Sequence, residues 1–552
     1  MGDSKPLILV CDDTDTDREL VQRYLPNQFD FDYAEDYEST RKILSSRHVY
    51  LALVDLFLDK KDEMPLGFEI QDEFQHVPIV LMSGHNPESV ERAMLQRKHS
   101  LNGLLSKDHA LRDKLTLEQT LHKCLRLHYN VDLDFNFKKN SIRWESIALK
   151  LAGDDKSLQE QFLSEAKHLA QKVFHDWDVS EHAHVRATRI DVLDELESGS
   201  RSCVLLLRPC TACNEPQADV IFKISRATQH QPSEHRKFDE FKNLIGGYGL
   251  RERRYALTCH LQGQVYSVPY YSFYETCTYA SHYASLSGGE QDEAGLNTLT
   301  RYLFDNTLRS VNRLLRTEQR GTITLSSYCA GRIQAEKRAQ VILRDLCVEN
   351  ALPHIRVKGD TLEVRVNDCV RELVHPAQPV LVKRDYKHCD EKVSAAIRHG
   401  DFHASNVLVD KYRKMCWFID YERFDTHHFA LIDHVEFEGS ILFDLMNIGE
   451  MDAGFIVSFI ESISQPIINR FAEAFGADAA QTDRAEAGKA MAAIRAIRNS
   501  AYEVNGLDAA HSYYHALMYE ALRVAGRADA DLRRRWHVLL AAAVLLKCVE
   551  QL

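Results

Sequence analysis

The stretch IRHGDFHASNVLVDKYRKMCWFIDYE, from Ile397 to Glu422, decides how the chain is read. A His-Gly-Asp lies just ahead of Asn406, and two short apolar runs follow, the second ending in Asp420. Phosphoryl transfer needs a carboxylate at the acceptor and ligands for the cations on the nucleotide phosphates. Asp401 is placed to face an acceptor hydroxyl. Asn406, close behind it on a tight loop, and Asp420, after a strand, are placed to hold the metal. His399 and His403 are expected to hold the loop by hydrogen bonds, since no third partner stands at zinc spacing.

Elsewhere the chain either completes that site or controls it. Its 552 residues suggest roughly three or four domains. Hydrophobic residues make up 45% and charged residues 27%, enough for several packed cores. The start turns acidic too soon for a signal peptide. The apolar run Val538 to Leu546 is about half of the ~18–20 residues that span a bilayer, so it reads as a core helix. The expectation is a cytoplasmic protein without a membrane partner. A net charge of -13 argues against nucleic-acid binding, which needs a concentrated basic surface. The 13 cysteines follow no regular spacing and read as reduced thiols. The pair Cys210 and Cys213 reads as a turn between strands.

Residues 1–130 alternate short apolar runs with helical patterns, as a parallel sheet covered on both faces requires. Function in such sheets collects beyond the carboxyl ends of the strands. Those ends carry Asp12 and Asp13, Asp55, Ser83 and Lys107. Three carboxylates in one crevice repel each other unless a hard cation joins them, and Mg²⁺ is the natural choice. A lysine and a small hydroxyl nearby would bind the oxygens of an incoming phosphoryl group.

This segment resembles a response-regulator receiver domain, with a doubly wound α/β fold and strand order 2-1-3-4-5. The resemblance implies that Asp55 accepts the phosphoryl group, that Asp12, Asp13 and Asp55 hold Mg²⁺, and that Ser83 and Lys107 form the switch. A sensor histidine kinase or phosphotransfer protein is then the donor. Leu104 stands where the family has an aromatic switch residue, and Asp108 where it has a proline.

Residues 131–185 show two stretches of helical periodicity, Ile142 to Leu151 and Leu158 to Trp177, with few glycines or prolines. They read as a helical connector, which passes motion or dimerisation onward or simply packs on the next domain; a homodimer is compatible with it. From residue 186 the runs Ile190 to Leu196, Ser202 to Leu207 and Val220 to Ile224 suggest a small antiparallel sheet. Glu197 to Ser202 holds a single glycine and is a poor phosphate-cradling loop. Lys223, inside an apolar strand, needs a partner. Glu234 on the next helical stretch is the expected one, forming a pair that positions nucleotide phosphates; Glu240 competes. A small β insertion is expected at about 351–385.

The motif HGDFHASN resembles the His-Gly-Asp-x-His-x-x-Asn signature of the aminoglycoside phosphotransferase and choline kinase branch of the protein-kinase-like fold. The resemblance implies an α+β two-lobed domain, with a small lobe at 186–285 and a large lobe at 286–552. It also implies ATP and Mg²⁺ as cofactors and an unidentified hydroxyl acceptor. Gly400 replaces the arginine of protein kinases, which argues against control by an activation loop. Asp444, in Glu438-Gly-Ser-Ile-Leu-Phe-Asp444, is implied to brace the catalytic loop. Together these readings give a two-component signalling protein in which a receiver controls a phosphotransferase. The alternative is a signalling adaptor whose kinase-like module binds but does not react.

Overall fold

The structure, a computed structural model, describes residues 5–24, 29–58, 66–84, 103–110, 113–153, 155–175, 178–180, 183–196, 202–227, 236–238, 251–267, 276–308, 321–346, 352, 354–366, 369–410, 415–421, 423–464, 481–505 and 510–551. It divides into two units, Met1–Ser233 with Arg251–Phe273, and Glu234–Leu250 with Tyr274–Leu552.

The first unit opens with five parallel strands, β1 (Leu7–Cys11), β2 (Asp30–Ala34), β3 (Leu51–Asp55), β4 (Ile79–Ser83) and β5 (Leu104–Ser106). Their order is β2-β1-β3-β4-β5, a doubly wound α/β sheet. Successive side chains point to opposite faces, so each strand feeds two cores. Ile8, Val10, Leu53 and Val80 pack on one face with Leu117 and Leu121 of a helix, α4, spanning Lys114–His128. Leu9, Ala52, Val54 and Leu81 pack on the other with Leu44 of α2 (Tyr37–Ser46) and Phe68 and Ile70 of α3 (Leu66–Glu73). The first helix, α1, spans Asp15–Tyr24. The helix expected at Pro87 to Leu95 lies outside the described residues.

A second layer follows in the same unit. Strand β6 (Asp134–Phe137) precedes two helices, α5 (Trp144–Ala152) and α6 (Lys156–Val173), close to the bounds expected from periodicity. Asp155 caps α6 by accepting the amide of Ser157 at 3.0 Å. Five further strands, β7 (Arg189–Leu196), β8 (Ser202–Cys210), β9 (Val220–Arg226), β10 (Arg251–Leu257) and β11 (Leu261–Ser267), complete a sheet of order β10-β11-β9-β8-β7-β6. Phe162, Ala166, Leu169 and Val173 of α6 share one core with Ile190, Leu205, Phe222 and Val265 of that sheet. The helices therefore pack as part of the sheet's domain.

The opposite side of α6 meets the first domain through polar groups. His168 Nδ1 lies 3.0 Å from His48 Nε2, and Tyr50 donates its hydroxyl to Gln171 at 2.9 Å. Lys172 donates to the carbonyls of His76 and, at 3.0 Å, of Leu257. Tyr50 and His76 precede β3 and β4. The junction thus sits at the end of the sheet opposite Asp55 and Ser83.

Among its described residues the second unit holds three three-stranded antiparallel sheets and a helical body. Helix α7 (Glu290–Tyr302) buries Leu296 and Leu299. Strand β12 (Thr322–Thr324) runs into α8 (Leu325–Ile333). The expected insertion is a three-stranded meander, Ile355–Lys358, Thr361–Val366 and Cys369–Val374. After it come β13 (Lys392–Arg398), β14 (Val407–Asp410), β15 (Met415–Phe418) and β16 (Asp425–Phe429), then α9 (Ile432–Gly439) and α10 (Ala453–Ile463). The long helices α11 (Gln481–Asn505), α12 (Ala510–Ala525) and α13 (Leu532–Gln551) close the unit. Val538 to Leu546 is wholly buried in α13, as a core helix requires. Among the described residues no helix is long and apolar enough to cross a membrane.

The junction makes the first unit acid-sensitive. Burial pushes the imidazoles of His48 and His76 down to about 4, and holds His168 well below its ordinary value. Glu165 eases the shift at His48 and His76, while Lys172 deepens it. An unfolded or undocked chain takes up protons near 6.5, so the folded form loses ground as pH falls from about 6.5 toward 4. Each histidine contributes up to ~1.4 kcal/mol per pH unit in that window. Thermal unfolding across this range should show a steeper acid loss for the native chain than for a His48→Gln, His168→Gln variant.

Candidate functional site

The parallel strands bring Asp12, Asp13, Asp55, Ser83 and Lys107 to one edge because each residue ends a strand or lies within two residues of its end. Asp12 is fully buried, Asp55 8% exposed and Ser83 2% exposed. Oxygens of Asp12, Asp13 and Asp55 all lie within 4.8 Å of one another. The Lys107 ammonium reaches Asp12 at 2.7 Å, Asp55 at 2.8 Å and Asp17 at 3.2 Å. Burial alone would lower the Lys107 ammonium; its bonds to Asp12 and Asp55 outweigh that and hold it above its ordinary value. Burial raises the Asp12 carboxyl, with Lys107 and the Thr14 amide pulling against it. The amide of Thr14 reaches Asp12 at 2.9 Å, and that of Phe57 reaches Asp55 at 3.2 Å, which orients both carboxylates. An all-oxygen donor set of this charge fits a hard divalent cation, and Mg²⁺ meets that description.

In the antiparallel sheet Lys223 sits at 5% exposure in the middle of β9, opposite Val204 and Gln264. Counted from β7, β9 is the third strand of the chain's antiparallel run. Glu234 and Glu240, its expected partners, lie outside the described residues, as do residues 197–201. Lys223 belongs to the first unit, whereas Asp401, Asn406 and Asp420 belong to the second.

Within the second unit, β13 leads straight into the loop His399 to Asn406. Gly400 has a φ of +74°, and a Cβ there would meet His428 Nε2 at 2.3 Å and the Arg423 carbonyl at 2.8 Å. Only glycine fits. The loop closes on itself: the Asn406 side-chain amide donates to the Asp401 carbonyl at 2.9 Å, and the Asn406 amide to the His403 carbonyl at 2.9 Å. His399 donates through Nε2 to the Ile419 carbonyl at 3.0 Å, and the Ile419 amide donates to the Asn406 carbonyl at 3.0 Å. These bonds tie the loop to the turn that carries Asp420. Asp420 itself has a φ of +72°, a left-handed conformation uncommon for a residue with a side chain. Burial lowers the His403 imidazole, while the Asp401 and Asp420 carboxylates both act on it in the other direction. Both carboxylates thus act on the same ring, and the Asn406 side chain is bonded to the Asp401 carbonyl within the loop.

The bracing expected of Asp444 falls to other residues. Asp433 accepts the amides of His399 at 3.1 Å and Gly400 at 3.0 Å. Glu436 accepts that of Phe402 at 2.9 Å, and Ser440 that of Ala404 at 3.1 Å. Asp444 instead pairs with Arg523 at 3.5 Å and Arg527 at 3.3 Å. Reading the motif missed this because Asp433, Glu436 and Ser440 recur every three or four residues along one helical face. Asp433 and Glu436 lie in α9, upstream of the expected segment, and Ser440 follows on the next turn within it. Two guanidinium groups flank the Asp401 carboxylate: Arg423 stands 3.7 Å and Arg332 3.9 Å from Asp401 Oδ1, and Arg332 also pairs with Glu436.

No protein-family model matches the chain, and no curated protein matches it. Solved structures do. The chain is similar to the signal receiver domain of an HD domain-containing protein from Pseudomonas fluorescens Pf-5, at 22% identity over 22% of this chain and 96% of that one, with a TM-score of 0.20. It is similar to a response regulator from Thermotoga maritima, at 18% identity over 22% of this chain and 98% of that one, with a TM-score of 0.19. The Legionella pneumophila response regulator LqsR is matched at 10% identity over 49% of this chain and 89% of that one, with a TM-score of 0.17.

Replacing Asp433 by alanine strips two buried amides of their acceptor, at about 1–3 kcal/mol for each group left unpaired. Replacing Asp444 by alanine removes a partly exposed ion pair and should cost ~1 kcal/mol or less. Thermal unfolding should therefore fall clearly further for Asp433→Ala than for Asp444→Ala.

Proposed function

We propose that this chain is a two-component signalling protein. Its first domain is a receiver that takes a phosphoryl group on Asp55 from a sensor histidine kinase or phosphotransfer protein. The remainder is an ATP- and Mg²⁺-dependent phosphotransferase of the aminoglycoside phosphotransferase-like class, acting on a hydroxyl acceptor under receiver control. The observation that carries the reading is Lys107, bonded to Asp55 and Asp12 in a pocket of converging carboxylates. That is the charge arrangement needed to neutralise an incoming phosphoryl group beside a bound cation.

Two features support the second half. Lys223 lies buried on the third strand of an antiparallel run, where the phosphate-positioning lysine of kinase folds stands. Asp401, Asn406 and Asp420 are drawn together by a loop whose amides are anchored to α9. In the proposed reaction the acceptor oxygen bonds to the γ-phosphorus of ATP, and the bond to the bridging oxygen of ADP breaks. Asp401 orients the acceptor hydroxyl and takes its proton. Asn406 and Asp420 would hold the Mg²⁺, which neutralises charge on the phosphates. Gly400, confined by His428 and the Arg423 carbonyl, leaves no room for the arginine through which protein kinases couple this loop to a phosphorylated segment. Control then falls to the receiver.

One observation favours the adaptor reading: Arg332 and Arg423 both pair with the Asp401 carboxylate, which is therefore already engaged. Nucleotide binding in the absence of turnover would be its signature.

Incubation with acetyl phosphate and Mg²⁺ should add one acid-labile phosphoryl group per chain, and Asp55→Asn should remove it. ATP consumption should fall by roughly 10²–10⁴-fold in Asp401→Asn, the span of a general acid–base contribution. Unchanged turnover in that variant would sink the phosphotransferase reading. Nucleotide binding with no turnover in either protein would establish the adaptor.

A further inference from the structure

The short segment between Asp420 and β16 brings a cation to Asp401. Arg423 stands on it, its side chain 54% exposed and its Nη1 3.7 Å from Asp401 Oδ1. The backbone there is fixed, because His428 lies between the Tyr328 hydroxyl, at 2.8 Å, and the Arg423 carbonyl, at 2.6 Å. Among the described residues the Arg423 guanidinium has no hydrogen bond. Arg332, in α8, is 11% exposed and stands 3.9 Å from the same Asp401 oxygen. Both separations are longer than the ~2.7–3.2 Å of a hydrogen bond. The two arginines therefore attract the carboxylate without occupying their N–H donors on it. Arg332 Nε is buried and has no hydrogen-bond partner. Arg523, in α12, is close enough for the Asp401 carboxylate to act on it.

A cationic acceptor fits this surrounding poorly. An ammonium group leaving water needs a carboxylate or an aromatic face in its place. The neighbouring carboxylates are taken. Glu436 accepts the Phe402 amide and pairs with Arg332, and Glu520 pairs with Arg523 at 2.6 Å. Asp444 pairs with Arg523 at 3.5 Å and Arg527 at 3.3 Å. Like charge brought against Arg423 and Arg332 is repelled. An anionic acceptor meets the opposite conditions. Guanidinium forks match the oxygens of phosphate and carboxylate and bind them through paired hydrogen bonds. An acid group that takes over Arg423 also draws it off Asp401, which leaves that carboxylate open to a hydroxyl.

We propose that the acceptor is a hydroxyl compound bearing an acid group, phosphate or carboxylate, and that Arg423, backed by Arg332, binds that group. The acid group is the handle, and the hydroxyl is what reaches Asp401. Reading the anion as the acceptor rests on the phosphotransferase assignment; the anion site itself rests on the two arginines. The acceptor oxygen bonds to the γ-phosphorus, ADP leaves, and the hydroxyl proton passes to Asp401, so the product carries two acid groups.

The test compares glycerol 3-phosphate, glycerate, glycerol and choline as acceptors for ATP consumption by the full chain with Mg²⁺. The two anions should raise turnover, and glycerol and choline should not. Arg423 is exposed, so its replacement keeps the fold. Arg423→Gln should raise KM for the anions roughly 10- to 100-fold, the span of a charge-assisted hydrogen bond, with kcat little changed. Arg423→Glu should abolish their use. Stimulation by one anion alone would support the proposal and name the acid group. Turnover with glycerol or choline equal to or above that with the anions would overturn it. So would a fall in kcat at constant KM in Arg423→Gln, which would place Arg423 on the transferring phosphoryl group. Calorimetric titration of each anion, with Mg²⁺ and a non-hydrolysable ATP analogue present, separates the two claims. A saturable site lost in Arg423→Gln, without turnover, keeps the anion site and defeats the phosphotransferase reading. No saturable binding of either anion, or binding that Arg423→Gln leaves unchanged, overturns the anion site itself.

Discussion

The structure depends first on like charge forced together at the end of a buried sheet. Asp12 is fully enclosed and Asp55 nearly so, and the Asp13 carboxylate converges with them. An isolated buried carboxylate would simply take up a proton. Here Lys107 spans Asp12 and Asp55, so the pocket keeps charge while remaining short of positive partners. That imbalance is what a divalent cation and a phosphoryl group would relieve between them. The neighbouring structure follows from it. Flat apolar strands deliver the carboxylates to one edge, and backbone amides of Thr14 and Phe57 fix their orientation. The polar junction to α6 is kept at the opposite end.

The second unit solves a related problem with other means. A loop that bears Asp401 and Asn406 cannot be held by regular pairing, so its amides need side-chain acceptors. Asp433, Glu436 and Ser440 supply them from consecutive turns along one helical face. Two of the α9 carboxylates, Asp433 and Glu436, are thus engaged by the loop backbone, and Asp401 plays a different part. Its partners are instead the guanidinium groups of Arg332 and Arg423. The loop is thus held by its backbone, while the Asp401 carboxylate sits between two guanidinium groups.

Much of the first domain was legible in the residues because fully buried parallel strands leave uninterrupted apolar runs, and chemistry sits where each run stops. Asp55, Ser83 and Lys107 stand at or beside the strand ends expected of them. The connector helices were legible as helices from Phe162, Ala166, Leu169 and Val173. Their role was not: periodicity reports an apolar face and says nothing of what covers it, and the sheet β6 to β11 does so. Asp444 was misjudged for a similar reason. Its motif lies near the loop in sequence, but after Gly439 the helix widens over Ser440–Leu445 and turns Asp444 toward Arg523 and Arg527. Asp433, about three helical turns earlier, accepts the loop amides of His399 and Gly400. Histidines are the hardest to read. Nothing in local spacing tells His48, at a domain junction, from His511, beside Glu391, because each is defined by residues over a hundred positions away.

The central claim is that a phosphoryl group on the first domain controls chemistry at Asp401. The most direct measurement is ATP consumption by the full chain with Mg²⁺, before and after loading the acidic pocket with beryllofluoride, in parallel with Asp55→Ala. The account predicts a change of rate in the native chain and none in the variant. An identical response in both proteins, or active turnover that beryllofluoride leaves unaltered in the native chain, would contradict it.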